Sequence, residues 1–236
     1  MNGFGDGINS RSQKLLKIGD EGLICAFIQL PAMTAATSLH DLISRIVSRP
    51  ETHARWLNTL SMLENAGARK IKQCEHPVFV KEDILKHAAE EARHAWYLKK
   101  QLHKVGGNCP TYEAPYLLAP AVSSRYLHRI DMRVCRYLKD EYGFSGHELK
   151  YAAYLLVTYA IEVRADELYP VYQEVLKQAG SGISVNNIIA EEQHHLASME
   201  AQLKQLWPEW RSLCDMACRE EDSCYREWIA EVSAGT

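Results

Sequence analysis

The chain of 236 residues has no long hydrophobic run and no strong net charge. No stretch reaches the roughly 18 apolar residues of a membrane span, so we expect no membrane segment. The mainly apolar stretch 23–33 follows two acidic residues and precedes no A-x-A cleavage site, which argues against a signal peptide. The net charge of −3 indicates no broad basic surface. We therefore expect no nucleic-acid partner.

The sequence also lacks any C-x-x-C pair. Its seven cysteines are scattered, and their odd number argues against a closed disulfide framework. We therefore expect a reducing, cytoplasmic location. Cys214, Cys218 and Cys224 lie close together in sequence, but no histidine accompanies them, so we interpret them as helix-packing residues rather than as a metal site.

Apolar residues recur at helical spacing between proline and glycine breaks, and no segment alternates like a strand, which predicts an all-α fold. Residues 1–22 are rich in glycine and serine and are predicted to form a flexible tail, with one helical domain over 23–236. Two long predicted helices precede a proline-containing connection, and two more follow it. This layout is typical of a four-helix bundle with a long crossover. The predicted helices cover 37–48, 51–74, 81–105, 121–141, 146–178, 181 or 184–206, and 208–232.

The helix at 146–178 carries three local signals. Ser145 and Glu148 form a capping-box pattern at its start. Residues 151–163 are apolar on every face, so this half is expected to lie at the centre of the fold. Pro170 is expected to kink the helix or to end its first part.

The apolar stripe of each long helix is interrupted by charged side chains. A carboxylate that faces a bundle core costs several kcal/mol unless its charge is compensated. Two divalent cations would balance four such carboxylates, with two neutral imidazoles completing the coordination. The six candidate metal ligands are Glu64, Glu91, His94, Glu162, Glu192 and His195.

The spacing of these residues supports a metal site. Glu-x-x-His places both side chains on one helix face, and it occurs in EEARH (90–94) and in EEQHH (191–195), each after a lone core glutamate. The second motif is ambiguous, since Glu191 and His194 have the same spacing. The apolar stripe favours Glu192 and His195, because they lie in line with apolar residues one turn before and one turn after them.

On these motifs, residues 51–206 resemble the ferritin-like di-iron carboxylate proteins, and the layout is most similar to the small single-subunit di-iron oxygenases. The resemblance implies a ferritin-like four-helix bundle with additional N-terminal, crossover and C-terminal helices. It also implies two iron ions, or iron with manganese, O2 as co-substrate and an external electron donor. Leu98 occupies the radical-tyrosine position of reductase subunits, and the missing C-x-x-C excludes a complete rubrerythrin.

The resemblance leaves several functions open. The first is an oxygenase or oxidase of a small organic substrate, hydrophobic or carrier-bound. The second is iron storage or peroxide detoxification of the ferritin or rubrerythrin kind. A third, hydroxylation of tRNA, is disfavoured by the net charge. The added helices favour a monomer or homodimer over a closed shell.

Two further groups of residues have both a functional and a structural interpretation. Tyr159, Asp166 and Tyr169 lie near the face of Glu162, either supporting the metal ligands or forming a polar helix end near Pro170. A basic stripe on the helix at 121–141 is either ordinary solvated surface or a docking face for an acidic carrier protein. It consists of Arg125, Arg129, Arg133 and Arg136.

Overall fold

The computed structural model describes residues 38–236, so the predicted tail at 1–22 and the apolar stretch 23–33 lie outside the described residues. The described part is helical and has no strand, which confirms the all-α prediction. Short 3₁₀ turns cover Leu102–Val105 and Ala114–Tyr116. The α-helices are α1 (Leu39–Val47), α2 (Pro50–Gln73), α3 (Glu82–Gln101), α4 (Pro120–Ser123), α5 (Tyr126–Tyr142), α6 (Gly146–Gln178), α7 (Asn186–Leu206) and α8 (Trp210–Ala234).

Two predictions about α6 need correction. Ser145 precedes the helix, but its side chain makes no capping hydrogen bond. Gly146 directly after it has φ of 56°, outside the right-handed helical region, so the chain does not enter the helix in capping geometry. The helix spans Gly146–Gln178, as predicted, so of the two alternatives for Pro170 only the one in which it ends the first part is wrong. Burial of Tyr169 and Tyr172 on both sides of the proline offsets its lost hydrogen bond.

The predicted helix at 121–141 is also interrupted. The structure divides this segment into α4 and α5, with a turn at Ser124 and Arg125. Ser123 is buried and receives a hydrogen bond from the indole N–H of Trp228 in α8, at 2.8 Å. This contact holds the short α4 against α8 and helps to fix the bend before α5 begins.

The core is organised around α6. This helix packs against α1, α5, α7 and α8, and α2 packs along α3. Residues 152–157 of α6 are buried without interruption, which agrees with the apolar composition of this half of the helix. No helix in the described range is long and apolar enough to cross a membrane.

Leu155→Ala tests the central position of α6. The Leu155 side chain is fully buried, so its truncation is expected to lower the free energy of unfolding by about 2–5 kcal/mol. Leu85→Ala is the matched control, because Leu85 is 44% exposed, and it should cost less than about 1 kcal/mol. Urea unfolding followed by circular dichroism measures both. Similar losses for the two variants would contradict this packing.

Candidate metal centre

Side chains from α2, α3, α6 and α7 converge in one buried cluster. Donor atoms within 4.8 Å of one another form two groups, and Glu91 belongs to both. Glu64 is half-buried, and the other members are buried. The structure thus brings together all six candidate ligands and adds one residue. The first group is Glu64, Glu91, His94 and Glu192; the second is His87, Glu91, Glu162 and His195.

The register of the second Glu-x-x-His motif is visible in the burial of α7. Glu192 and His195 are 2% and 4% exposed and enter the cluster. His194 is exposed and Glu191 is half-buried. His194 lines a polar groove between α3 and α7 instead, so its side chain lies outside the cluster.

The histidine of each Glu-x-x-His motif is held by a carboxylate from the opposite motif. His94 Nε2 lies 2.7 Å from Glu191 Oε2, and His195 Nε2 lies 2.9 Å from Glu90 Oε2. An Nε2–H that donates to such a carboxylate leaves Nδ1 free to face a metal, and it raises the basicity of the ring. The Nδ1 atoms of both rings lie 3.0 Å from oxygens of Glu192. The first glutamate of each EE doublet therefore orients the histidine of the other motif.

His87 is the cluster residue that the sequence patterns missed. It is 3% exposed, and its Nε2 lies 3.1 Å from Glu162 Oε1 and 3.3 Å from Glu91 Oε1. His87, Glu91 and His94 are spaced by four and three residues, which places them on one face of α3. That spacing was available in the sequence, but the Glu-x-x-His pattern alone does not include a residue one turn earlier.

The three residues predicted to support the ligands have different positions. Tyr169 is buried, and its hydroxyl donates to Glu64. Asp166 accepts a hydrogen bond from Gln193 and belongs to neither ligand group. Burial, with the nearby thiols of α8, raises the pKa of Tyr159, which is half-buried on that side of α6. At about 100° per residue, Tyr169 lies about 20° from Glu162 around the helix, nearer than the other two.

Burial and mutual repulsion of carboxyl groups dominate the electrostatics of the cluster. Burial and the charges of neighbouring glutamates raise the pKa of Glu64 and of Glu162 well above their ordinary values. Burial and Glu192 raise the pKa of Glu91 to about 7. Burial opposes ionisation of Glu192 too, but hydrogen bonds from His195 and His94 outweigh it and lower its pKa. Without cations the cluster therefore retains protons that bound metal would displace.

Glu91 Oε1 and His94 Nδ1 are among the buried side-chain atoms that make no well-directed hydrogen bond, although His87 Nε2 and Glu192 Oε1 lie 3.3 and 3.0 Å from them. Such orphaned groups are costly in a core, yet these two belong to the groups of converging donors. Carboxylate and imidazole donors suit divalent transition metals. The residues present therefore fit a metal ion, and a bound ion would satisfy both orphaned atoms.

The cluster borders an apolar cleft formed by α2, α5, α6 and α8. The cleft has a cavity volume of about 100 Å³ and reaches Glu64, Glu91, Glu162, Glu192 and Tyr169. Its walls include Leu63, Leu127, Val157, Ile161, Leu168 and Trp228. The polar groove between α3 and α7 reaches His195 from another direction, past Lys86, Glu90 and Glu191. The cluster thus borders two different openings.

Comparisons with protein-family models, with curated proteins and with solved structures find no match to this chain. The resemblance to ferritin-like di-iron proteins therefore rests on the sequence motifs and stays a prediction. The function of this chain must be inferred from the geometry of the cluster and of the cleft.

A pair of adjacent histidines tests the ligand assignment. His195→Ala should remove a buried donor and lower the metal content of protein loaded with ferrous ion by at least one ion per chain. His194→Ala is the matched control and should leave the content unchanged, because His194 is exposed. Inductively coupled plasma mass spectrometry measures both. Equal losses would contradict the register of α7 in the cluster.

The raised carboxylate pKa values predict a pH effect on the metal-free protein. Groups whose pKa is higher in the folded than in the unfolded state stabilise less as pH rises through that interval. Glu64 and Glu162 shift in this direction. His94 does too, since burial is outweighed by its neighbouring carboxylates, which raise its pKa to about 10. The melting temperature should therefore fall by several degrees from pH 7 to pH 8.5. His53 and His87, with lowered pKa values, are neutral in both states above pH 7 and do not oppose it.

Thermal melts with a chelator and with added metal measure this effect. Metal should raise the melting temperature more at pH 8.5 than at pH 7, since fewer protons compete for the donors. Glu162→Gln removes one titrating group and should flatten the slope of the metal-free protein. An unchanged melting temperature over this interval would show that the acids are not crowded as described.

Proposed function

We propose that this chain is a di-iron oxygenase or oxidase that uses O2 to oxidise a small apolar organic molecule. The observation that carries this proposal is the apolar cleft that ends on the carboxylates of the cluster. Small-molecule sites are mostly apolar concavities with a few convergent polar groups. A cleft of this kind directly beside a metal-binding cluster suits an organic substrate.

In this proposal α2, α3, α6 and α7 form a ferritin-like four-helix bundle, with residues 102–145 as the crossover. Each of the four helices contributes a member of the cluster, and α2 pairs with α3 as α6 pairs with α7. Glu91 belongs to both donor groups and would help to hold both ions. When bound, two iron ions, or iron with manganese, supply the electrons that activate O2.

The side chains around the cluster orient its metal ligands and shield the substrate space from water. Glu90 and Glu191 fix the rings of His195 and His94 with Nδ1 directed inward. The hydroxyl of Tyr169 holds the Glu64 carboxylate at the edge of the cleft. The apolar walls exclude water from the space in which a substrate would lie.

The charges at the cleft favour a neutral substrate. Lys70 lines the cleft, but its ammonium lies 2.5 Å from Asp131. Arg164 also lines it and is bound by Glu221 at 2.9 Å and by Asp222 at 3.2 Å. Both cations are thus compensated within the chain. A carboxylate or phosphate substrate would have to compete with these ion pairs, whereas an apolar one would not.

Iron storage or detoxification is the alternative. The polar groove at His195 favours it, because polar side chains there reach the cluster. A storage protein has no need of an apolar cleft, however. An oxygenase would also need an external electron donor, and the extra helices α5 and α8 are consistent with a monomer or homodimer.

The basic stripe gives little support to an acidic carrier protein. Arg129 pairs with Glu227, and Arg133 pairs with Glu220, both on α8 of the same chain. Arg125 donates to the carbonyl of Ala121. Arg136 is exposed. A carrier-bound substrate therefore stays a prediction, and the ion pairs favour a structural role for the stripe.

Filling the cleft tests the proposal. Ferrous protein is supplied with O2, a chemical reductant and a panel of small apolar molecules, and mass spectrometry detects oxidised products. Ala165→Trp should reduce product at least tenfold while two metals remain bound, because Ala165 lines the cleft but is not a ligand. Lys177→Trp on the exposed end of α6 is the control and should retain activity. Uptake of excess iron without any organic product would favour storage instead.

A further inference from the structure

The two halves of the cluster are related by an approximate repeat that His87 breaks. In α3 the residue four positions before the cluster glutamate is His87, and in α7 the equivalent residue before Glu192 is Ile188. Both are buried, at 3% and 2% exposure. One half of the repeat therefore adds an imidazole to the cluster where the other half adds only a hydrocarbon side chain.

The extra imidazole makes the two donor groups chemically different. The group of His87, Glu91, Glu162 and His195 has two imidazoles and two carboxylates. The other group has one imidazole and three carboxylates. The His87 and His195 rings lie side by side, with centroids 4.1 Å apart. Imidazole favours iron, zinc and later transition metals, whereas carboxylate oxygens suit manganese and magnesium.

The two groups also differ in enclosure. Every member of the group with His87 is buried, whereas the other group includes the half-buried Glu64 at the edge of the cleft. Tyr154 is fully buried, and its hydroxyl lies 3.3 Å from His87 Nδ1. If Nδ1–H donates to this hydroxyl, Nε2 faces Glu162 and Glu91 as an unprotonated donor.

From these differences we infer that the two metal positions are unequal. The position of His87, Glu91, Glu162 and His195 binds first and selects a nitrogen-preferring ion. The position of Glu64, Glu91, His94 and Glu192, beside the cleft, binds second and accepts a harder ion such as Mn²⁺. The inference rests on the proposed function only in that the cluster binds two metal ions. It adds that the chain can hold two different metal ions, which bind in a fixed order.

A Co²⁺ titration of the metal-free protein tests the inequality. Calorimetry and visible absorption should show two steps for the unaltered chain, the first at least tenfold tighter than the second. Glu162→Ala should weaken the first step most, and Glu64→Ala should weaken the second. His87→Ile makes α3 match α7, and it should bring the two affinities to within about threefold.

Two variants keep this test decisive. His53→Ile is the matched control, because His53 is also 3% exposed and lies 2.7 Å from a tyrosine hydroxyl, that of Tyr172, but belongs to neither donor group. It should retain two unequal steps. His87→Gln replaces His87→Ile if circular dichroism shows that the latter is unfolded, and it should likewise weaken the first step at least tenfold.

Mixed loading then reports where each ion resides. After one equivalent of Zn²⁺, one equivalent of Mn²⁺ should give the electron paramagnetic resonance signal of protein-bound manganese. Glu64→Ala should abolish that signal while Zn²⁺ stays bound. Two equal steps that His87→Ile leaves unchanged would overturn the inference but not the proposed function. No binding of Co²⁺ at all would overturn both.

Discussion

The structure depends on one constraint: four glutamates lie close together in the interior of a helical protein. Their burial and mutual repulsion oppose ionisation, as the raised pKa values of Glu64, Glu91 and Glu162 show. Replacing a bound cation by protons leaves some donors without well-directed hydrogen bonds, among them Glu91 Oε1. The helices that contribute these side chains are therefore stabilised together by whatever compensates the charge. Metal binding and folding should be coupled in this chain.

Much of the architecture could be predicted from the sequence because it depends on periodicity. The long helices begin and end within a few residues of their predicted bounds, since proline and glycine breaks act locally. The burial of Glu91, Glu162 and Glu192 follows from their place in an apolar stripe. The face on which a residue lies depends mainly on the periodicity of its own helix, and the order of residues determines it.

What could not be predicted depends on contacts between helices. Glu90 and Glu191 looked like the outer members of two doublets, and only the packing of α3 against α7 shows that each binds a histidine of the other. The division of the predicted helix 121–141 into α4 and α5 depends on the contact of Ser123 with Trp228 of α8. His87 lay on the correct helix face, but its role required the positions of Glu162 and His195.

The two openings follow from which helices cover the cluster on each side. Towards α5 and α8 the cover is apolar, because these helices also bury their own hydrophobic faces against α6. Between α3 and α7 the outer glutamates orient the imidazoles, and the groove there is lined mostly by polar side chains. An ion in the apolar cleft would lose its hydration without gaining partners before it reached Glu64. The same packing thus places an apolar cleft and a polar groove on different sides of the cluster.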